Sequence, residues 1–302
     1  MTKTIIKIAV IGDVHELWNE YDSVALDFLA VDLALFVGDF GNESLKVVQE
    51  IADINIPKAI ILGNHDGWFT ATKWGRKKAP YDHNIEDRVQ QQLDILGSSH
   101  VGYSSLDFPN LGLSVVGSRP FSWGGSKWKY PEFYQQRYGI NNFQESTEKI
   151  VSAVKNTSFQ NIIFIGHNGP FGLGANPEDT CGKDWNPIGG DFGDPDFESA
   201  INISRQQGKN IPFVTFGHMH HTLRHTKERV RTILNQDIYN TFYLNAAATP
   251  RIQEINGEKI HKFSLVTLEN NNITNIKLIS LNEKMKIINQ QIIFCKESNC
   301  LL

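Results

Sequence analysis

Five short apolar stretches of this chain end in the same way, with a glycine followed by side chains that bind metal ions. The stretches are rich in β-branched and aromatic residues, and they lead into the sequences GDVH, GDFG, GNHD, GHNGP and GHMH. Runs that are apolar on both faces are typical of strands covered on both sides. Ligand-binding residues of α/β sheets gather beyond the carboxyl ends of such strands. We therefore expect the five motifs to share one site.

Segments with the composition of helices alternate with these strands. They span roughly residues 21–30, 43–54, 85–96, 143–155 and 195–207. This alternation predicts an α/β fold. Residues 261–281 predict two strands joined by an Asn-rich turn, which would close a sheet in antiparallel fashion, and residues 282–302 are either a further strand or a mobile end. With no internal repeat and no linker, we expect a single domain over residues 1–302.

Two segments interrupt the alternation. Residues 117–139 are crowded with aromatic and basic side chains, and residues 169–196 with Gly, Pro and Asp. Long loops without secondary structure are usually functional or disordered, and disordered segments contain few aromatic residues. Because both segments contain several aromatic residues, we predict two ordered loop insertions over the site.

The residues at the strand ends offer the ligands of a two-metal site. A carboxylate bridges two divalent ions, and imidazoles and a carbonyl oxygen complete their coordination. The candidate ligands are Asp13, His15, Asp39, Asn64, His167, His218 and His220, with His65 left over. A pair of ions activates a water and clamps the oxygens of a phosphoryl group. Mn, Fe, Zn and Mg all remain candidates, because the ligand set does not distinguish them.

Each motif by itself has an ordinary explanation. Gly-Asp after a strand is common in turns and helix N-caps, Gly-Asn-His-Asp forms turns, and a single histidine such as His167 is more often a hydrogen-bonded structural residue. Together, these explanations require five coincidences, each at the end of a strand. The joint pattern therefore favours a metal site.

The same residues resemble the calcineurin-like metallophosphoesterase superfamily. Its motifs are D-x-H, G-D, G-N-H-(D/E), H and G-H-x-H, which here are Asp13-Val-His15, Gly38-Asp39, Gly63-Asn64-His65-Asp66, His167 and Gly217-His218-Met219-His220. These motifs span residues 13–220, about two-thirds of the chain. The resemblance implies a four-layer α/β/β/α sandwich of two mixed sheets, with the site at the sheet edges.

The resemblance also implies a role for each residue, with two divalent metal ions as cofactors. The first metal would be held by Asp13, His15 and His220, and the second by Asn64, His167 and His218. Asp39 would bridge the two metals. His65 would contact the phosphate or protonate the leaving oxygen, and Asp66 would orient His65.

The chain differs from two branches of the superfamily. FGNES follows Asp39 where the Ser/Thr protein phosphatases have xVDRG, so the phosphate-binding arginine of that branch is missing and we do not expect a protein phosphatase. The chain also lacks the long insertions and tail domains of one nuclease branch. Residues 172–196 resemble a loop in a little-characterised subgroup from cyanobacteria and plastid-bearing plants, which implies no substrate.

Four further residues are candidates for substrate contact. Asn168 follows His167 directly and either lines the site or belongs to a simple turn. Arg119, Trp123 and Lys127 belong to an aromatic and basic cluster with Trp128 and Lys129. This cluster either binds an anionic substrate with a flat group, such as a nucleotide, or is a solvated loop anchored by its aromatic residues.

Charge and composition limit the partners. The net charge is −4, whereas non-specific nucleic-acid binding needs a broad basic face. No apolar stretch reaches membrane-spanning length, and the N-terminal apolar run, which contains Lys7 and ends at Asp13, is too short for a signal-peptide core. The three cysteines form no disulfide or metal pattern. We therefore expect a cytoplasmic protein without membrane or nucleic-acid partners; its oligomeric state stays open.

The leading hypothesis is a dinuclear-metal hydrolase of phosphomonoesters or phosphodiesters. Its substrate would be a small molecule such as a nucleotide, attacked by a water that bridges the metals. The alternative from another class is a non-catalytic metal-binding scaffold of the same fold, as in some retromer-type relatives. Such scaffolds typically lose a ligand or the catalytic histidine, whereas this chain keeps every ligand and His65. A nuclease is the third hypothesis, and its DNA binding would weaken with salt.

Overall fold

Thirteen strands form two β-sheets in the part of the chain that the structure, a computed structural model, describes, residues 4–296. In chain order the strands are β1 (Ile5–Ile11), β2 (Leu33–Phe36), β3 (Lys58–Ile60), β4 (Ser105–Phe108), β5 (Leu113–Gly117), β6 (Asn161–Ile165), β7 (Asn210–Phe216), β8 (Leu234–Gln236), β9 (Phe242–Asn245), β10 (Ile252–Ile255), β11 (Glu258–Glu269), β12 (Asn272–Asn282) and β13 (Ile287–Cys295). The first sheet has the order β13-β12-β11-β1-β2-β3, with β10 beside β11, and the second has the order β4-β5-β6-β7-β9-β8.

Both sheets are mixed. In the first sheet β1, β2 and β3 are parallel, whereas β11 lies antiparallel to β1 and leads into the antiparallel strands β12 and β13. In the second sheet β5, β6, β7 and β9 are parallel and the outer strands β4 and β8 are antiparallel. The parallel strands of each sheet therefore end at a common edge, as the sequence predicted.

Eight α-helices lie among the described residues. They are α1 (Glu20–Phe28), α2 (Leu45–Ala52), α3 (Trp68–Ala71), α4 (Lys73–Arg76), α5 (Arg88–Leu96), α6 (Pro131–Tyr138), α7 (Phe143–Lys155) and α8 (Pro195–Gln206). The starts of α1 and α7 are fixed by side chains that accept hydrogen bonds from the first turn. Asn19 caps α1 in a capping box with Asp22, and Asn142 caps α7.

Three apolar layers hold the sheets and helices together. Ile6, Ile8 and Val10 of β1 lie between the two sheets, while Ala9 and Ile11 face α1 and α2 on the other side. This alternation follows from the two-residue period of a strand, and each fully buried large aliphatic side chain contributes about 1.5–3 kcal/mol. A third layer packs α7 and α8 onto the second sheet. The order of helices, sheet, sheet and helices confirms the predicted four-layer α/β/β/α sandwich.

The sequence located the long elements better than the short ones. The five predicted helical segments correspond to α1, α2, α5, α7 and α8. The hairpin β4–β5 and the helix α6 were missed, and residues 117–139 are not a structureless loop because α6 lies within them. The α6 sequence PEFYQQRY alternates too little between apolar and polar faces to reveal a helix. Its boundaries are nevertheless typical, with Pro131 at the start and Gly139, at φ 68°, at the end.

The C-terminal part extends the first sheet. The predicted strand pair is confirmed as β11 and β12, and the open choice for residues 282–302 is decided in favour of a strand for β13; residues 297–302 lie outside the described part. Cys181 is a buried free thiol, whereas Cys295 is disulfide-bonded. None of the helices between residues 4 and 296 has the length and apolar character needed to cross a membrane. The single domain over residues 1–302 stays a prediction.

Candidate metal centre

The five glycine-containing motifs come together where the two sheets meet. β1, β2 and β3 lead into the first three motifs, and β6 and β7 of the second sheet lead into the last two. Backbone hydrogen bonds join neighbouring turns: the Asp13 N–H donates to the Gly38 carbonyl (3.0 Å), and the Gly217 N–H donates to the His167 carbonyl (2.8 Å). Both sheets are therefore needed to assemble the site.

The first group of candidate ligands consists of Asp13, His15 and His220. Asp13 Oδ1 lies 3.2 Å from His220 Nε2 and 3.9 Å from His15 Nε2, and the two imidazole nitrogens are 3.3 Å apart. Asp13 Oδ1 is buried and lacks a well-oriented hydrogen bond among the described residues. A buried carboxylate oxygen that faces two imidazole nitrogens without such a bond is suited to a cation.

The second group is centred on His167. Its Nε2 lies 2.9 Å from Asn64 Oδ1, 3.2 Å from His218 Nδ1 and 3.3 Å from Asp39 Oδ1. The other ring nitrogen, Nδ1, lies 2.8 Å from the carbonyl oxygen of Val37 and donates to it. This bond fixes the hydrogen on Nδ1, so Nε2 presents a lone pair to the group.

Asp39 lies between the two groups. Its Oδ1 is close to His167 Nε2, while its Oδ2 lies 4.0 Å from His15 Nε2 in the first group. The two oxygens of one carboxylate therefore face different groups. This is the placement that a bridging ligand needs.

The spacing and the chemistry of both groups fit divalent metal ions. Ligand atoms about 2.0–2.2 Å from a common ion lie about 3 Å apart, and the shortest contacts in each group are of that size. Each of the groups Asp13–His15–His220 and Asp39–His167–His218 has its ligand atoms within 4.8 Å of one another. Two divalent ions would be held by these groups, with Asn64 completing the second. Mixed carboxylate, amide and imidazole ligands do not identify the metal.

The protonation states of Asp13, His15 and His218 are those that bind metal, whereas the pKa of His220 is raised because its contact with the Asp13 carboxylate outweighs burial. Burial alone raises the pKa of Asp13, but the adjacent imidazoles, His220 foremost, outweigh it and hold that pKa below the ordinary value. Burial lowers the pKa of His15, and burial followed by the neighbouring His167 lowers the pKa of His218 well below its usual value. An ionised carboxylate and neutral imidazoles are the forms that coordinate a metal.

Several candidate ligands have a left-handed backbone conformation. Asp13, His15, Asp39 and His218 have φ values of 52°, 46°, 59° and 66°. Residues with a Cβ rarely adopt this conformation, which costs of the order of 1–3 kcal/mol and concentrates at functional sites. The turns after the strands thus adopt an unfavourable backbone conformation, which directs these side chains into the site.

Gly63 is required by close packing inside the centre. A Cβ at this position would lie 2.4 Å from Asp39 Oδ1 and 2.6 Å from both the Asp39 backbone nitrogen and His167 Cε1. The methyl group of alanine would therefore displace the carboxylate that lies between the two groups.

Gly63→Ala is expected to reduce metal content and to lower activity roughly 100-fold, because displacements of about 1 Å have effects of this size. Metal analysis of the purified variant beside the wild type checks this. Gly139→Ala is the matched control, since Gly139 has φ 68° but its Cβ would meet nothing within 4 Å. That control should lose about 1–2 kcal/mol of stability and keep its metals. Full metal content in Gly63→Ala would contradict the prediction.

His65 lies beside the first group and is oriented by Asn42. Its ring centroid is 5.0 Å from that of His15, and its Nδ1 lies 2.7 Å from Asn42 Oδ1. The amide oxygen accepts from Nδ1–H, which leaves Nε2 available. Asn42 could not be predicted from the sequence, because an asparagine in a turn has no distinguishing pattern.

The predicted role of Asp66 in orienting His65 is wrong. The Asp66 carboxylate accepts hydrogen bonds from the backbone N–H groups of Gly63 (2.7 Å), Asp39 (2.9 Å) and Phe40 (2.9 Å). It is completely buried, and burial together with the nearby Asp39 carboxylate raises its pKa despite these donors. Asp66 therefore fixes the turns that carry the ligands.

Two of the predicted substrate contacts are contradicted by burial. The Arg119 guanidinium is buried and paired with Asp194 (2.9 Å) and Asp196 (2.8 Å), so its charge is used inside the protein. Asn168 is also fully buried, and its Nδ2 donates to the Phe192 carbonyl (2.8 Å). The physical reason is the same for both: the side chains hold residues 169–196 in place.

Of the other two predicted substrate contacts, Trp123 lines the cavity beside the candidate ligands and Lys127 does not. Lys127 is exposed and does not line the cavity beside His218 and His220, whereas Lys129 lines it. Trp123 lines that cavity and is half-buried. Further lining residues were not predicted, among them Trp185, Phe192 and Arg224. Their aromatic and basic character was visible in the sequence, but their convergence depends on how residues 169–196 and 221–231 fold back.

Neither of the remaining histidines of this region joins the centre. His221 Nε2 lies 2.9 Å from the Asn245 carbonyl oxygen, and burial lowers the pKa of His221 to about 4. His225 Nε2 lies 3.0 Å from Glu178 Oε1. Both side chains therefore have partners of their own outside the two ligand groups.

Comparison with solved structures shows proteins of similar fold at low sequence identity. One structure matches with a TM-score of 0.50 and 14% identity, over 91% of this chain and 98% of that one. A purple acid phosphatase from yellow lupin seeds has a TM-score of 0.49 and 14% identity, over 97% of this chain and 54% of the lupin chain. A dimetal phosphatase from Danio rerio has a TM-score of 0.48 and 11% identity, over 97% of this chain and all of that one. No curated protein matched this chain by sequence.

These solved structures are too distant in sequence to assign the protein to a family, but a family model does assign it. The model of the calcineurin-like phosphoesterases matches residues 6–222. That match covers more than half of the chain, from β1 to the turn after β7. Because it includes every motif of the metal centre, the protein belongs to the calcineurin-like phosphoesterase family, whose members are metal-dependent hydrolases of phosphoesters.

Proposed function

We propose that this protein hydrolyses phosphomonoester or phosphodiester bonds in small molecules with the help of two bound divalent metal ions. The observation that carries the proposal is the position of Asp39, whose two carboxylate oxygens face different groups of ligands. A small substrate agrees with the net charge of −4, which disfavours a nuclease. The cytoplasmic location stays a prediction.

The roles of the ligands follow from the two groups. We assign one ion to Asp13, His15 and His220 and the other to Asn64, His167 and His218, with Asp39 between them. Bound there, two divalent ions would lower the pKa of water and neutralise the charge of the phosphoryl oxygens. The protein's part is to hold neutral imidazoles and ionised carboxylates at fixed distances, which the hydrogen bond from His167 Nδ1 to Val37 secures.

We assign proton transfer to His65. It lies next to the first group but has its Nδ1 occupied by Asn42, so a proton on Nε2 is the one it can give to a leaving oxygen. General acid help of this kind typically contributes about 10²–10⁴-fold in rate.

Asn42→Ala should lower kcat roughly 10-fold, because the His65 ring loses the bond that fixes its orientation; supporting partners of site residues have effects of about 10–100-fold. Steady-state kinetics and metal analysis of the variant test this together. Asn84→Ala, at another exposed asparagine, is the control. Unchanged kcat in Asn42→Ala would remove Asn42 from the mechanism.

A metal-restoration assay tests the proposed function. The protein is stripped of metal, restored with Mn, Fe, Zn or Mg, and offered p-nitrophenyl phosphate and bis-p-nitrophenyl phosphate. Turnover that depends on metal supports the hydrolase, and the preferred ester separates phosphatase from phosphodiesterase activity. Two bound ions per chain without turnover of either ester would favour the non-catalytic scaffold instead.

A further inference from the structure

A cavity opens directly beside the metal centre. It has a volume of about 240 Å³, and His218, Met219 and His220 are among the residues that line it. Its walls come from residues 123–129, residues 184–192 and residues 222–231, three separate parts of the chain. A molecule whose phosphoryl group reached the metal centre would therefore place its adjoining part in this cavity.

Aromatic rings form the walls, and their neighbours hold them in place. The Trp185 and Phe192 rings pack edge to face with centroids 4.7 Å apart, and the Phe192 ring lies parallel to the His218 imidazole. Trp123 also lines the cavity and packs against Tyr130 with centroids 4.4 Å apart. Rings held in this way offer flat apolar surface at little cost in conformational entropy.

Two of the three cations that line the cavity form no salt bridge with a carboxylate in the described part of the chain. The Arg231 guanidinium pairs with Asp184 (3.1 Å) and donates to several backbone carbonyls, so it is a structural residue. By contrast, neither Lys129 nor Arg224 forms a salt bridge within residues 4–296. Lys129 Nζ donates to the Trp123 carbonyl (3.1 Å) and lies 4.6 Å from the Phe192 ring centroid, while the Arg224 guanidinium lies 5.3 Å from that of Trp185.

The two cations lie close to the candidate metal ligands. Lys129 and Arg224 line the same cavity as His218 and His220. Arginine and lysine beside a phosphoryl site bind anionic oxygens. The chain thus has cations at its site although the arginine of the protein phosphatases is missing after Asp39.

We propose that this cavity selects phosphoesters that carry a flat ring and a second anionic group, the chemistry of a nucleotide. This inference rests on the proposed function, because it assumes that a phosphoryl group lies at the metal centre. Trp185 and Trp123 contact the ring, and Lys129 and Arg224 bind the anionic oxygens that the metals do not. On this proposal Trp123 and Lys129 contact the substrate, so they do not belong simply to a solvated loop.

A pair of ligands whose P–C–P linkage resists hydrolysis tests the proposal by binding. Methylenediphosphonate and its adenosine ester, α,β-methylene-ADP, differ only in the nucleoside, and each is titrated into the purified protein by calorimetry. The adenosine ester should bind roughly 5- to 100-fold more tightly, the range expected for stacking of one base. Trp185→Ala should remove most of this advantage, whereas Arg224→Ala and Lys129→Ala should weaken both ligands.

Matched controls separate binding from folding and from hydrolysis. Trp74→Ala removes a tryptophan that is 60% exposed and does not line the cavity, and it should bind both ligands like the wild type. Thermal melts show whether each variant is folded. If Trp185→Ala is unstable, Trp185→Leu takes its place, because leucine also removes the aromatic ring. Equal affinity for the two ligands, or an advantage that survives both Trp185 substitutions, would overturn the proposal. Selective binding without turnover of any ester would instead count against the proposed function alone.

Discussion

Asp39→Asn is expected to lower kcat/KM roughly 10³-fold or more and to reduce the metal content of the protein below that of the wild type. The substitution keeps the size of the side chain but replaces one carboxylate oxygen by an amide nitrogen, which does not coordinate a metal. In the wild type the two carboxylate oxygens of Asp39 face different ligand groups. The single oxygen left by the substitution can serve only one of them. The clamp formed by two ions contributes several kcal/mol to stabilisation of the transition state, and each 1.36 kcal/mol is tenfold in rate.

Hydrolysis of p-nitrophenyl esters and elemental analysis of the same preparation check this prediction. Asp94→Asn provides the control, because Asp94 is exposed on α5 and far in sequence from every motif of the centre. Surface substitutions of this kind change stability by no more than about 0.5 kcal/mol. Wild-type activity in Asp39→Asn with both ions bound would contradict the proposal that Asp39 bridges the two ions.

His65→Asn is expected to lower kcat by about 10²–10⁴-fold, the usual contribution of a general acid, while both metals stay bound. The reason is that His65 lies next to the ligands and is held through Nδ1 by Asn42, so its loss removes a proton donor and not a ligand. A nitrogen of His65 nevertheless lies within 4.8 Å of the ligand atoms of His15 and Asp39. The variant therefore distinguishes a proton donor from an eighth ligand.

Metal content decides between these two roles. His83→Asn, at an exposed histidine of the segment before α5, should match the wild type in rate, in bound metal and in thermal stability. A His65→Asn protein that loses metal in parallel with activity would make His65 a ligand. Full activity in this variant would exclude His65 from the chemistry altogether.

The candidate metal ligands could be picked out from the sequence because each follows a buried strand that is recognisable by itself. The run IIKIAVI before Asp13 is apolar on both faces, and β1 is indeed covered by the second sheet on one side and by helices on the other. Parallel strands bring their carboxyl ends to one edge of a sheet. Local patterns were therefore sufficient to find residues as distant as Asp13 and His220.

The supporting residues could not be predicted in this way. Arg119 was expected at the surface, but its charge is balanced by Asp194 and Asp196, which lie about 75 positions away in the chain. Asp66 belongs to a family motif, yet its carboxylate holds backbone N–H groups and does not touch the His65 ring. Charge pairing and backbone hydrogen bonding depend on which segments are neighbours in space, and composition does not encode that.

The sequence by itself determined the fold class, the order of the long elements and the identity of the candidate ligands, because strand periodicity and ligand chemistry are local properties. Only the tertiary structure decided that Asn42 and not Asp66 orients His65, that Lys129 and not Lys127 lines the cavity, and that Trp185 and Arg224 converge on it. These outcomes depend on how residues 117–139 and 169–196 pack over the sheet edges. That packing is fixed by buried ion pairs and ring contacts between segments far apart in sequence.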